Sequence, residues 1–184
     1  MSSKVWFTSD IHFGHKWIIF LCKSPFKSVK EMDETIIRNW NKRVGKDDFV
    51  IFLGDFAYKS ELQPKNYISR LNGHIVFVQG NHDLNLGSPI QHLVINIMQE
   101  DIYCVHDPKD FSSAYSLNLV GHVHGAWLVK KIYDTYLINC GVDVWKFSPV
   151  SIEEILKAKY DFEKEWQKKW KRKYGKKKFL STCS

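Results

Sequence analysis

The chain has 184 residues, 44% of them hydrophobic and 26% charged, with a net charge of +7. That length supports one core, and the composition is ordinary for a globular protein. No apolar run approaches the roughly 20 residues of a membrane span, and MSSKVWFTSD lacks the basic-then-apolar order of a secretory leader. Cys22, Cys104, Cys140 and Cys183 are scattered, with no C-x-x-C pair. This argues against a zinc ribbon or disulfide framework and for a reduced, cytoplasmic protein without membrane contact.

In chain order, Lys4–Ser9 reads as a strand. Met32, Ile36, Ile37, Trp40 and Val44 then share one helical face. Ser28 is the expected cap of that helix, with Glu31 three residues on. Phe49–Leu53 is continuously apolar, as in a strand buried on both faces. Ser60–Leu71 predicts a short helix starting near Pro64, and Ile75–Val78 another buried strand. The second half changes character. Leu93–Met98, Ile102–Val105, Leu117–Val120, Ile132–Asn139 and Val150–Ile152 predict short strands without a long helix between them. A helix then starts after Ser151. A βαβ half followed by a strand-rich half predicts an α/β fold of two sheets packed face to face, flanked by helices. The whole chain, 1–184, reads as one domain with a basic C-terminal helix or tail from about Lys157.

The strand ends carry the chemistry. Lys4–Ser9 ends in Asp10 and His12, Phe49–Leu53 in Gly54 and Asp55, and Ile75–Val78 in Gly80-Asn81-His82-Asp83. Ile102–Val105 ends in His106 and Leu117–Val120 in Gly121-His122-Val123-His124. Ligand crevices of open α/β sheets lie outside the carboxyl ends of the strands. The seven donors Asp10, His12, Asp55, Asn81, His106, His122 and His124 are too many for one ion and suit two sharing a carboxylate. Carboxylate, imidazole and amide oxygen without thiolate favour Mn²⁺ first, with Fe, Zn²⁺ or Ni²⁺ as alternatives. A hydroxide bridging two ions roughly 3.5–4 Å apart is a nucleophile at neutral pH. Gly54, Gly80, Gly121 and Gly125 flank the donors and are expected to make tight turns and close backbone approaches. His74 and His92 stand in no motif. Asn139 reads as a turn residue, and Asp33, Asp47 and Asp48 as helix-face or turn carboxylates.

D-x-H, G-D, G-N-H-D, a lone H and G-H-x-H, in that order, resemble the calcineurin-like metallophosphoesterase superfamily. TSDIHFGHKWII and NCGVDVWKFSPVSIEEI further resemble its small, cap-less bacterial and phage-type branch. The resemblance implies a β-sandwich flanked by helices. It implies that Asp10, His12 and His124 hold one metal, that Asn81, His106 and His122 hold the other, and that Asp55 bridges them. It places His82 against the phosphate, where it protonates the leaving oxygen, and makes Asp83 its partner. Asn81, His82 and His15 would touch substrate. His15 also reads as a cap of the following helix. Val105 precedes His106 where many members carry Gly.

The expected activity is hydrolysis of phosphate esters, diesters before monoesters, on small substrates that include nucleotides. One alternative is a nuclease. Residues Lys157–Lys178 hold 11 of the 27 Lys and Arg but 3 of the 20 Asp and Glu, leaving 16 basic against 17 acidic residues elsewhere. Trp166, Trp170 and Tyr174 form a stripe in this segment that either packs on the domain or stacks on bases of DNA or RNA. A metal-bound binding module without turnover is the other alternative. The last residues, Lys176–Ser184, are expected to fray.

Overall fold

The computed structural model describes residues 3–83 and 87–174, so Cys183 and the expected fraying of Lys176–Ser184 lie outside the described residues. In chain order the elements are β1 (Val5–Thr8), α1 (Ile18–Leu21), α2 (Val29–Arg43), β2 (Phe49–Phe52), α3 (Pro64–Ile68) and β3 (His74–Phe77). There follow β4 (His92–Ile97), β5 (Glu100–Val105), β6 (Leu117–Val120), β7 (Val129–Ile132), β8 (Thr135–Asn139), β9 (Val150–Ser151) and α4 (Ile152–Tyr174).

β1, β2 and β3 run parallel, and antiparallel β9 completes a sheet of order β3-β2-β1-β9. The second sheet, β4-β5-β6-β8-β7, has a parallel centre and antiparallel edges. Strand alternation explains why the first sheet is apolar on both faces. Phe7 and Ile51 point to one face, where Ile102, Cys104, Leu117, Leu119 and Ile138 of the second sheet meet them. Trp6, Val50 and Phe52 point to the other, against Met32, Ile36, Ile37 and Trp40 of α2. The two sheets therefore pack face to face with helices flanking them, as the sequence predicts.

Helix starts are set by local hydrogen bonds. The Ser28 hydroxyl accepts from the Glu31 amide at 3.2 Å, and the Glu31 carboxylate reaches back to the Lys27 amide at 2.8 Å. Ser151 and Glu154 make a reciprocal box at the start of α4. Pro64 occupies the first turn of α3, where its missing N–H costs nothing. The first turns of α4 bury Ile152 and Ile155 in the core, whereas most residues from Lys157 onward lie at the surface. The packing of the aromatic stripe is partial. Trp166 is 44% exposed beneath the Lys131 ammonium, Trp170 is half-buried, and the Tyr174 side chain lies outside the description.

Three expectations need correction. The single strand expected over Ile132–Asn139 is the second arm of a hairpin, with Ile132 opposite Thr135 and the turn at Tyr133 and Asp134. β7 was not expected, and the short helix that follows His15 is capped by Trp17 rather than His15. Met98 is likewise not in a strand but in a turn with Gln99, at φ 53° and 65°. Positive φ at both central residues is the twist-matched hairpin geometry, normally announced by Asn-Gly. Neither hairpin has a glycine at its turn, so the usual sequence signal is missing.

Candidate metal centre

The carboxyl ends of β1, β2, β5 and β6 and the turn after β3 meet at one end of the two sheets. Their loops are zipped by backbone hydrogen bonds. The Asp10 amide donates to Gly54 O at 2.9 Å, His12 to Asp55 O at 3.0 Å, and Gly121 to His106 O at 2.9 Å. A bridge from Ser9 to Gly141 ties the first sheet to the end of β8. Asp10, His12, Asp55, His122 and His124 all adopt positive φ, between 47° and 71°. Asp and His tolerate this region better than most residues, but the cost is real, and clustered strain of this kind marks functional sites.

All seven predicted donors come together. Asp10, His12 and His124 offer ligand atoms within 4.8 Å of one another, and so do Asp10, Asp55 and His106. The Asp55 Oδ2 atom lies 3.4 Å from His12 Nε2 and 3.6 Å from His106 Nε2. The Asn81 Oδ1 atom lies 3.0 Å from His106 Nε2 and 2.9 Å from His122 Nδ1. Ligands about 2.1 Å from a shared ion sit about 3–3.5 Å from each other, so these separations fit two ions. A further observation fits. Both ring nitrogens of His12 are buried without any hydrogen-bond partner, in a residue only 2% exposed. Such a group is costly unless something ligates it.

The electrostatics follow burial. Desolvation, helped by the neighbouring imidazoles, lowers the His12 pKa to about 2, so the ring is neutral and free to ligate at pH 7. Burial also pulls His124 down, but its hydrogen bond to Asp143, aided by Cys22 and Asp10, outweighs this and raises it to about 10. That bond, 2.9 Å from Nδ1 to Asp143 Oδ2, leaves Nε2 for a metal. His106 is set similarly. Its Nδ1 lies 2.7 Å from Leu53 O, which leaves Nε2 toward Asp55 and Asn81. Burial raises the Asp10 carboxyl, and the His106 and His124 rings oppose this.

The histidines that the resemblance places at the substrate line the same cleft, of about 470 Å³. His82 lies with its ring 5.5 Å from His12 and 4.1 Å from Tyr58. His15 is buried, packs edge-on to Tyr58 at 4.9 Å, and has an unpartnered Nδ1. Asp83 does not play the expected part. Its carboxylate accepts from the amides of Asp55 at 2.6 Å, Gly80 at 3.0 Å and Phe56 at 2.9 Å, and so clamps the backbone that presents Asp55 and Asn81. These three bonds all go to backbone amides, and the His82 ring packs on Tyr58. The His82 amide donates to Asp55 Oδ1 at 2.9 Å, so the two neighbours bind back to β2 in opposite directions.

Of the flanking glycines, Gly54, Gly80 and Gly121 are required by close approach, and a Cβ on Gly80 would run into the Asp55 amide. A Cβ on Gly54, whose φ is 90°, would meet His106 Nδ1 at 2.5 Å, and one on Gly121 would meet Asp10 Oδ2 at 2.7 Å. Gly125 faces open space and needs no such explanation. Sequence reasoning missed Asp143 and underrated Asn139. The Asn139 amide donates to His124 O at 2.6 Å and Trp127 O at 2.8 Å, and holds the loop that carries His124. Asn139 closes β8 and Asp143 follows it in N-C-G-V-D, another strand end of the same kind as the five that were read. Asp33, read as a helix-face carboxylate, is buried, accepts from the Gly14 amide, and has its pKa raised to about 6 by desolvation.

Among the described residues no helix is long and apolar enough to cross a membrane, and Cys22, Cys104 and Cys140 are free thiols. A solved structure of a protein of unknown function from Aquifex aeolicus superposes with a TM-score of 0.66, at 23% identity over 85% of this chain and all of the other, and shares its fold. An uncharacterized protein of Methanocaldococcus jannaschii is 36% identical over 165 residues, which is 84% of this chain and 90% of that protein. The gene 66 protein of Mycobacterium phage L5 is 38% identical over 84 residues, 44% of this chain and 40% of its own length. The profile of the calcineurin-like phosphoesterase family matches residues 3–183.

Proposed function

We propose that this chain, which belongs to the calcineurin-like phosphoesterase family, hydrolyses phosphate esters, diesters in preference to monoesters, with two divalent ions. The single observation that carries this reading is the carboxylate of Asp55 set between His12 and His106, at 3.4 and 3.6 Å. One oxygen within reach of two imidazoles from different strands is what a shared ligand requires. Asp10, His12 and His124 would hold one ion, and Asn81, His106 and His122 the other. When bound, the ions supply Lewis-acid charge and an activated water at neutral pH. Mn²⁺ is the first choice for this oxygen and imidazole set.

The remaining work falls to the protein's own groups. His82, half-buried at the cleft, gives a proton to the departing oxygen. His15, which also packs on Tyr58, donates a hydrogen bond to a phosphate oxygen. Asp83 positions rather than reacts. It fixes the amides of Asp55, Phe56 and Gly80, and through them the spacing between the two donor groups. Asp143 and Asn139 hold the His124 ring and its loop.

The test is hydrolysis of bis-(p-nitrophenyl) phosphate against p-nitrophenyl phosphate by metal-stripped protein with Mn²⁺ restored. We expect Mn²⁺-dependent turnover, faster on the diester, and its loss in His82→Ala. No turnover of either ester with two ions demonstrably bound would make the chain a binding module. A second reading, a nuclease, is favoured by the exposed cationic half of α4, where Lys164, Lys168, Lys169 and Arg172 face solvent. Truncation from Lys168 separates the two. A nuclease would lose activity on DNA or RNA and its steep salt dependence, while small-ester turnover survived.

A further inference from the structure

The cleft at the metal donors has two unlike walls. His12, His15, His82 and His124 line one side. The apolar part of the lining is Ile18 and Leu21 of α1, with Val123 and Ala126 of the loop after β6. No carboxylate is among the described residues lining it, and its one ammonium, Lys23, sits at the rim. The apolar wall does not stop at that rim. Leu21 is 73% exposed, Phe20 68% and Trp17 65%, all on one short helical segment, with the Trp17 and Phe20 rings 6.0 Å apart. Exposed Lys16 and Lys23 bracket the segment. Large apolar side chains exposed side by side mark a binding surface. Leu21 both lines the cleft and stands exposed on this segment, so a molecule anchored at the metal donors meets the apolar segment at Leu21.

We propose, building on the phosphoester reading above, that the substrate is amphiphilic. Its phosphate sits at the metal donors, and the apolar chain or ring of its alcohol part lies along Ile18, Leu21 and Phe20. The lining suits this better than a nucleoside. Apart from the histidines and the Cys22 thiol, the described residues lining it offer no side-chain acceptor or carboxylate for the polar edge of a base. The lysines at either end of the patch suit an anionic headgroup and leave the middle dry.

Binding tests this without depending on turnover. The Mn²⁺-loaded protein is titrated calorimetrically with methyl-, butyl- and octylphosphonate, and turnover of bis-(p-nitrophenyl) phosphate is followed on the same samples. Each methylene that becomes buried is worth up to roughly fourfold in affinity, so we expect octylphosphonate to bind at least tenfold more tightly than methylphosphonate. Leu21→Ser and Phe20→Ser, at positions too exposed to threaten folding, should flatten the series. Equal affinities across the series in the unaltered protein, or an unchanged slope in both variants, would overturn the proposal. A steep series without turnover would leave this surface standing and sink the hydrolase reading. Turnover with a flat series would do the reverse.

Discussion

His106 and His12 face the same carboxylate, that of Asp55, yet they are held in different ways. His106 has one nitrogen on Leu53 O and the other near Asn81 Oδ1, which also meets His122. That half of the centre is knitted by its own hydrogen bonds. His12 has neither nitrogen partnered, and its neighbours are the rings of His15, His82 and His124. The His12 ring is placed by packing and backbone alone, while His124 in the same half is tied to Asp143. An ion entering the first half replaces contacts that already exist. An ion entering the second relieves an unpaid desolvation cost. The two halves of one centre should therefore respond differently to the same change.

Removing the shared group should give the largest effect. Asp55→Asn keeps the shape and the hydrogen bond to the His82 amide but removes the charge common to both halves. We expect kcat/KM to fall about 10³-fold, about 4 kcal/mol of transition-state stabilisation, with fewer than two ions retained on dialysis. Full stoichiometry and normal turnover would sink the bridging assignment.

Matched substitutions should then separate the halves. In metal-free protein His106→Phe should lose about 2 kcal/mol, because the Leu53 carbonyl is left buried and unpaired. His12→Phe should lose less than about 1 kcal/mol. Deleting two unpaired nitrogens there offsets the strain of a less suitable residue at φ 52°. Urea unfolding in chelator measures both, and equal losses would refute the contrast.

Asp143 sharpens the comparison from outside. Asp143→Ala should weaken metal binding in the half that contains His124 by about 10–100-fold, leaving the other half near its original affinity. A two-site Mn²⁺ titration resolves this, and a uniform loss at both sites would indicate general damage instead.

The smallest effect belongs to Asp33, which is not a donor in either half but accepts from the Gly14 amide in the turn after His12. Its carboxyl titrates at about 6 in the fold against 3.8 as the ordinary value. The folded state therefore binds the proton more tightly. The stability this contributes is complete below 3.8 and is lost as pH rises through about 6. Between pH 5 and 7 the loss is about 1 kcal/mol. Asp33→Asn should abolish that slope, as thermal unfolding across the range would register.

How much of this was legible in the sequence depended on whether the signal was local. Asp10, His12, Asp55, Asn81, His106, His122 and His124 could be read because each closes an apolar run, and runs that bury both faces are conspicuous. The pairing of Asp143 with His124 could not. It joins residues on two loops through a single contact, and an aspartate after a valine has no pattern of its own. The partnership of Asp83 with His82 came from the resemblance rather than from any local pattern, and the Asp83 carboxylate instead accepts from the amides of Asp55, Phe56 and Gly80. The β7–β8 hairpin was hidden because Tyr133 takes the positive φ that a glycine would have announced. Seven donors were visible; the backbone that aims them was not.

The left-handed backbone at Asp10, His12, Asp55, His122 and His124 bears on how such a centre is interrogated. An alanine scan there would charge two losses to one residue, the missing ligand and a main-chain geometry that alanine dislikes. It would overstate these five relative to Asn81 and His106. Asparagine, which tolerates the geometry, is the fairer replacement. A ranking of ligand importance built on asparagine should come out flatter than one built on alanine.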